Sequence, residues 1–129
     1  MVIVRAKTPI AELRRQAEEM FGNLVKAVVD VKRRIMAVGG ELHADEEALL
    51  LEDGSSQQDL WGINLYPEFT DERWIEFDSV VNIRPSQGNR SRGVDDPAIR
   101  SLIVTIVGEL VERCPPSGTP SPLNGRGSG

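Results

Sequence analysis

Residues 24–40 read LVKAVVDVKRRIMAVGG, and this stretch decides the fold class. Val25, Ala27 and Val29 alternate with Lys26, Val28 and Asp30, the period-two pattern of a strand whose second face is also partly buried. The basic cluster Lys32, Arg33 and Arg34 turns the chain, residues 35–38 return as a second strand, and Gly39 and Gly40 end it. So short a connection predicts antiparallel neighbours, because a parallel crossover needs a dozen or more residues.

Upstream, residues 1–5 are a brief β-branched run that predicts an edge strand. Thr8 followed by Pro9 predicts a helix cap and first helical position, and Ile10, Leu13, Ala17, Met20 and Phe21 form one apolar stripe before Gly22 stops the helix. Downstream, Asp45 is placed to cap a short helix, with Glu46 and Glu47 in its first turn, Leu49, Leu50 and Leu51 as anchors, and Gly54 as the stop. Residues 60–66 alternate Trp61, Ile63 and Leu65 with Gly62, Asn64 and Tyr66. Residues 74–83 alternate Ile75, Phe77, Val81 and Ile83 around Glu76, Asp78 and Asn82, so residues 67–73 are read as the link of a second hairpin. Asp96 and Pro97 open a last helix whose apolar positions 98, 99, 102, 103, 106, 107, 110 and 111 keep the 3.6-residue period. The predicted order is β-α-β-β-α-β-β-α, an α+β fold. Its sheet is mainly antiparallel and built of hairpins, with two long helices and one short helix packed on one face.

The chain has 129 residues, of which 40% are hydrophobic, enough for one domain with an ordinary core. That domain is expected over residues 1–114. The last fifteen residues, PPSGTPSPLNGRGSG, hold four Pro, four Gly and three Ser, and are expected to be a disordered tail. A lone Cys114 excludes an internal disulfide framework and a four-cysteine zinc site, and it has no sequence-adjacent histidine to make it a nucleophile. No apolar run approaches the ~20 residues that span a bilayer. The N-terminus lacks the order of a signal peptide, so a cytoplasmic location and no membrane partner are expected.

The net charge of −5 is unevenly spread. Residues 1–40 carry eight Lys+Arg and four Asp+Glu, residues 41–83 one and twelve, and residues 84–129 six and four. An acidic middle argues against a protein that coats nucleic acid, yet leaves room for one local basic site. Aromatic content of 5% points the same way, and Trp61 and Trp74 are read as core or cross-strand partners rather than a base-stacking platform.

That local site is NIRPSQGNRSRGVDDP, residues 82–97, at the expected passage from a strand to a helix. Arg84, Arg90 and Arg92 fall within nine residues with no acid between them, and Gln87 and Asn89 add hydrogen-bonding side chains. Guanidinium forks bind carboxylate or phosphate bidentately, and Gly88 and Gly93 would let backbone amides approach an anion. The same arginines could instead pair with the upstream acidic block, Arg84 first because it lies closest to the strand. Asp95 and Asp96 also occupy the positive end of the following helix themselves. The spacing matches neither a P-loop nor a dinucleotide fingerprint.

A second candidate is the segment holding the one histidine, where His43, Asp45 and Glu46 offer a general base with an orienting carboxylate, or nitrogen and oxygen ligands for a divalent cation. Helical geometry tempers this, since Glu46 and Glu47 diverge by ~100° and so at most one faces His43. Capping and macrodipole effects explain Asp45, Glu46 and Glu47 without any further role, and His43 is equally read as a hydrogen-bonded structural residue. No cofactor motif and no metal site is assigned, and no GxSxG elbow is present.

The blocks VVDVKRRIMAVGGELHADEEALLLEDGSSQQDLWGIN (28–64) and FDSVVNIRPSQGNRSRGVDDPAIR (77–100) resemble a family of small uncharacterised bacterial proteins of unknown function. The resemblance covers about residues 1–113 and implies a cytoplasmic bacterial domain, with no activity or catalytic residue attached. From the residues themselves, the leading expectation is a domain that binds an anionic or polar ligand or partner through Arg84, Gln87, Asn89, Arg90 and Arg92. The alternatives are a small hydrolase or nuclease built on His43, which requires the histidine and arginine segments to meet in one cleft, and a regulatory or interaction subunit, including a homo-oligomer.

Overall fold

The computed structural model describes residues 1–113; the expected tail lies outside the described residues. The elements are β1 (Val2–Val4), β2 (Thr8–Pro9), α1 (Ile10–Glu19), β3 (Val25–Asp30), β4 (Ile35–Val38), α2 (His43–Glu52), β5 (Leu60–Leu65), β6 (Ile75–Glu76), α3 (Pro97–Leu110) and β7 (Val111–Glu112). Five strands form one antiparallel sheet in the order β1-β4-β3-β5-β6, and β2 pairs with β7 in a separate parallel ribbon. The fold is α+β, as the central stretch predicts.

The helices do not share one face. Ala27, Val29, Met36, Val38, Ile63 and Leu65 pack with Leu13 and Ala17 of α1 and Ile103, Ile106 and Val107 of α3. Val28, Ile35, Ala37 and Leu60 point the other way and pack with Leu50 of α2. Burying an aliphatic side chain is worth about 1.5–3 kcal/mol, so a second face carrying these four residues needs a cover, and α2 provides it. The expectation of two long helices and one short one is also corrected, since α1 and α2 have ten residues each and α3 has fourteen.

Two expected caps are replaced. Thr8 and Pro9 are drawn into β2 against Val111 and Glu112, and α1 starts after Pro9 with no side-chain cap. α2 starts two residues before Asp45, at His43, also with no side-chain cap. Asp96 does cap α3, its Oδ1 accepting from the Ala98 amide at 2.8 Å. The turn after β3 is held by buried Asp30, whose Oδ1 accepts from the amides of Lys32 and Arg33 at 2.9 Å each while Oδ2 accepts from Ser55 Oγ at 2.6 Å.

The largest departure lies in residues 74–83. Only Ile75 and Glu76 pair with β5, and the chain then leaves the sheet. Asn82 explains why. Its side-chain Oδ1 accepts from the Gly62 amide at 2.8 Å and its Nδ2 donates to the Gly62 carbonyl at 2.9 Å, which satisfies β5 as a neighbouring strand would. The turn at Val80–Asn82 lies so close that a Cβ on Gly62 would stand 2.6 Å from Ser79 Cβ. Alternating apolar residues therefore mimic a strand in a segment whose hydrogen bonds run through side chains.

Candidate functional site

The segment after that turn stays beside β5, Arg84 reaching the Leu60 carbonyl, and is tied down by its own asparagines. Buried Asn89 donates through Nδ2 to the carbonyls of Asn82 and Gly93 at 2.8 Å each, and its Oδ1 accepts from the Asp95 amide at 2.7 Å. Backbone bonds join Arg84 and Asn89 around Gly88, whose φ of +80° suits glycine. Gln87 donates to the Gln58 carbonyl at 3.2 Å.

The three arginines are spread over three environments. Arg84 stacks on the Trp61 ring at 4.2 Å and donates to the carbonyls of Gln57 and Leu60, while burial lowers its pKa below the usual arginine value. Arg90 is exposed, and among the described residues its guanidinium has no carboxylate partner; its amide donates to Asp95. Arg92 donates through Nε to Asp78 Oδ1 at 2.6 Å. The rest of its fork makes no hydrogen bond among the described residues.

Arg92 faces a cleft of about 620 Å³ on the α2 side, and His43 lines the same cleft. The N-terminus of α2, the ends of β3 and β5, and residues 76–80 supply the rest of the wall. Strand register builds its floor: Lys26 of β3 stands opposite Asn64 of β5, which stands opposite Glu76 of β6. These three therefore form a row across one sheet face, with adjacent strands about 4.8 Å apart. Asn64 Nδ2 donates to Glu76 Oε1 at 2.9 Å, and the Tyr66 hydroxyl donates to the same oxygen at 2.9 Å. Asn64 Oδ1 is buried with no partner, a state that costs about 1–3 kcal/mol in a dry site.

His43 is buried, and burial lowers its pKa, the nearby positive charges of Lys26 and Arg92 adding to the effect. Its Nε2 lies 2.8 Å from the Ile63 carbonyl oxygen. A carbonyl only accepts, so Nε2 carries the proton and the neutral ring keeps its lone pair on Nδ1. Burial first, and then the bond to Glu76, raise the pKa of Tyr66 and keep it a donor.

A family model described as a protein of unknown function (DUF5674) matches residues 2–110. The chain belongs to the DUF5674 family. The match takes in every residue of the cleft, from Phe21 to Arg92. No curated protein and no solved structure matches this DUF5674 chain.

Asp45 and Glu46 go elsewhere. Asp45 lines a separate hollow of about 480 Å³ beside Met1, Gly39 and Gly40. Glu46 is fully buried beside Gly40, its Oε2 accepting from the Gly40 amide at 2.9 Å while Oε1 has no partner. Desolvation pushes its pKa up to about 9 against the slight pull of the Gly40 amide, so the carboxyl is protonated at neutral pH. Among the described residues, no three His, Cys, Asp or Glu side chains come together to hold a metal ion. No helix of the described residues is long and apolar enough to cross a membrane.

Sequence reasoning missed Lys26, Asn64, Tyr66, Glu76 and Asp78 as cleft residues. Each looks like the polar half of an alternating strand; pairing across three strands brings Lys26, Asn64 and Glu76 to one place, and Tyr66 and Asp78 join them through Glu76 and Arg92. An open groove of about 1000 Å³ lies between α3 and residues 71–77, lined by Trp74, Phe77, Arg100 and Val104.

Proposed function

We propose that this DUF5674 protein binds a small polar molecule bearing an anionic group in the cleft between α2 and the segment 76–92. One observation carries the reading: Lys26, His43 and Arg92, far apart in sequence, line one cleft into which the uncapped N-terminus of α2 also opens. The first amides of a helix lack intrahelical acceptors and favour a negative charge, and the unused part of the Arg92 fork and the Lys26 ammonium add donors. In this reading Arg84, Gln87 and Asn89 hold the loop so that Arg92 is presented, and Arg90 adds long-range attraction from the loop tip. A reducing cytoplasm accords with a single cysteine. Titrating the protein with inorganic phosphate and with acetate, followed by amide chemical shifts, should move residues 42–44, 64 and 92, and Arg92→Glu should abolish the effect. Shifts confined to Arg90 and its neighbours would move binding out of the cleft and overturn the proposal.

A second reading, a hydrolase or nuclease with His43 as base, is supported by the neutral ring with its lone pair on Nδ1 in the same cleft as Arg92. It requires turnover of a phosphate or carboxylate ester, such as p-nitrophenyl phosphate, that His43→Asn removes. Equal turnover by the two proteins discards it.

A further inference from the structure

The charges of the cleft are of two kinds. Asp78 and Arg92 neutralise each other at 2.6 Å. Lys26 and Glu76 do not, since neither has an oppositely charged partner within 4.0 Å among the described residues. They stand at the two ends of the Lys26–Asn64–Glu76 row, so the floor presents a positive end, a buried amide and a negative end. The amide in the middle is committed on one side only: Asn64 lines the cleft with its Nδ2 bound to Glu76, whereas its Oδ1 is buried without a donor. An acceptor beside a carboxylate is what an ammonium group requires, because it carries three donors and no acceptor.

The rim is of a third kind. Phe21, Leu42 and Val80 line the cleft yet remain 43%, 56% and 61% exposed. Each comes from a different part of the chain, and none contributes to the buried core. Apolar groups clustered around a polar floor mark a site for a ligand that has both characters.

We propose that the cleft selects a small zwitterion with an apolar body, an apolar α-amino acid. Its carboxylate sits against Lys26 and the open end of α2, its ammonium against Glu76 and Asn64 Oδ1, and its side chain against Phe21, Leu42 and Val80. The inference rests on the cleft being a binding site and adds which charges a ligand must carry. A ligand with one charge leaves either Lys26 or Glu76 unmatched, so both ends of the row discriminate.

Affinities of the full chain for L-leucine, isovalerate and 3-methylbutylamine, measured by amide chemical shifts, test this directly. The three share an apolar body and differ in charge. L-leucine should bind at least tenfold more tightly than either single-charge analogue, with shifts at residues 26, 42–44, 64 and 76. Glu76→Gln should reduce L-leucine to the level of isovalerate and leave isovalerate unchanged; Lys26→Met should reduce it to the level of the amine. Unaltered shifts away from the cleft show that both variants are folded. Isovalerate binding as tightly as L-leucine, or L-leucine failing to move the cleft while inorganic phosphate does, overturns the zwitterion and leaves the cleft. If no probe, phosphate included, moves the cleft, both proposals fall.

Discussion

The first turn of α2 sends His43 to an open cleft and Glu46, three residues later, into a dry site beside Gly40, and the two surroundings are unlike. On the His43 side, opposite charges and hydrogen-bonding groups gather at an open cleft, and most of them have partners. On the Glu46 side a single carboxyl is fully buried against Gly40 with one bond and one orphan oxygen. For both His43 and Glu46 the one backbone bond is outweighed by desolvation, which disfavours the charged form. One turn of helix thus borders an open polar site through His43 and a dry neutral one through Glu46.

The largest expected effect tests the dry side. The Glu46 carboxyl titrates at an ordinary 4.5 when unfolded and near 9 when folded. Between these values the folded state holds a proton that the unfolded state has lost, so stability falls as pH rises through that window, by up to ~1.4 kcal/mol per pH unit. Glu46→Gln should remove this dependence and raise stability by roughly 3 kcal/mol at pH 7, read by urea denaturation from pH 5 to 9. A wild-type protein equally stable across that range would mean that Glu46 is solvated, and the contrast between the open cleft and the dry site would collapse.

On the open side, Asn82→Ala should cost about 2 kcal/mol, because it strands the buried Gly62 amide and carbonyl. It should also loosen the 76–92 wall, visible as faster amide exchange there; unchanged exchange would detach that wall from Asn82. Gly40→Ala places a Cβ 2.8 Å from Glu46 Cγ and 3.0 Å from Met1 Sδ and should cost about 1–2 kcal/mol, with no effect on ligand shifts in the cleft. Smallest of all, Arg92→Ala breaks an exposed pair with Asp78 and should change stability by less than about 1 kcal/mol while weakening phosphate binding. A large loss of stability in that variant would make Arg92 a structural residue instead.

The β3–β4 hairpin is legible in the sequence because period-two alternation and a short turn report local geometry directly, whereas the pairing of β3 with β5, across β4 and α2, is not. Residues 77–83 misread as strand because their apolar residues alternate, yet the residues buried there are polar, Ser79 and Asn82, in a turn pressed onto Gly62, while Ile83 stays exposed. Met20 and Phe21 continue the apolar stripe of α1 on paper, yet they lie beyond its end and are exposed, which is what delivers Phe21 to the cleft rim. The acidic first turn of α2 reads as solvated, but the helix begins at His43 rather than after Asp45, and Glu46 packs inward against Gly40.

By itself, the sequence determined an α+β domain with an antiparallel core, a helix opened by Asp96 and Pro97, and a segment rich in arginine where the acidic block stops, because periodicity, capping and charge are properties of neighbouring residues. Only the tertiary structure decided that α2 covers the opposite face, that Arg84, Arg90 and Arg92 part company, and that Lys26, Asn64 and Glu76 line up beneath His43 and Arg92. Register between strands sets those meetings, and register is fixed by packing among residues tens of positions apart.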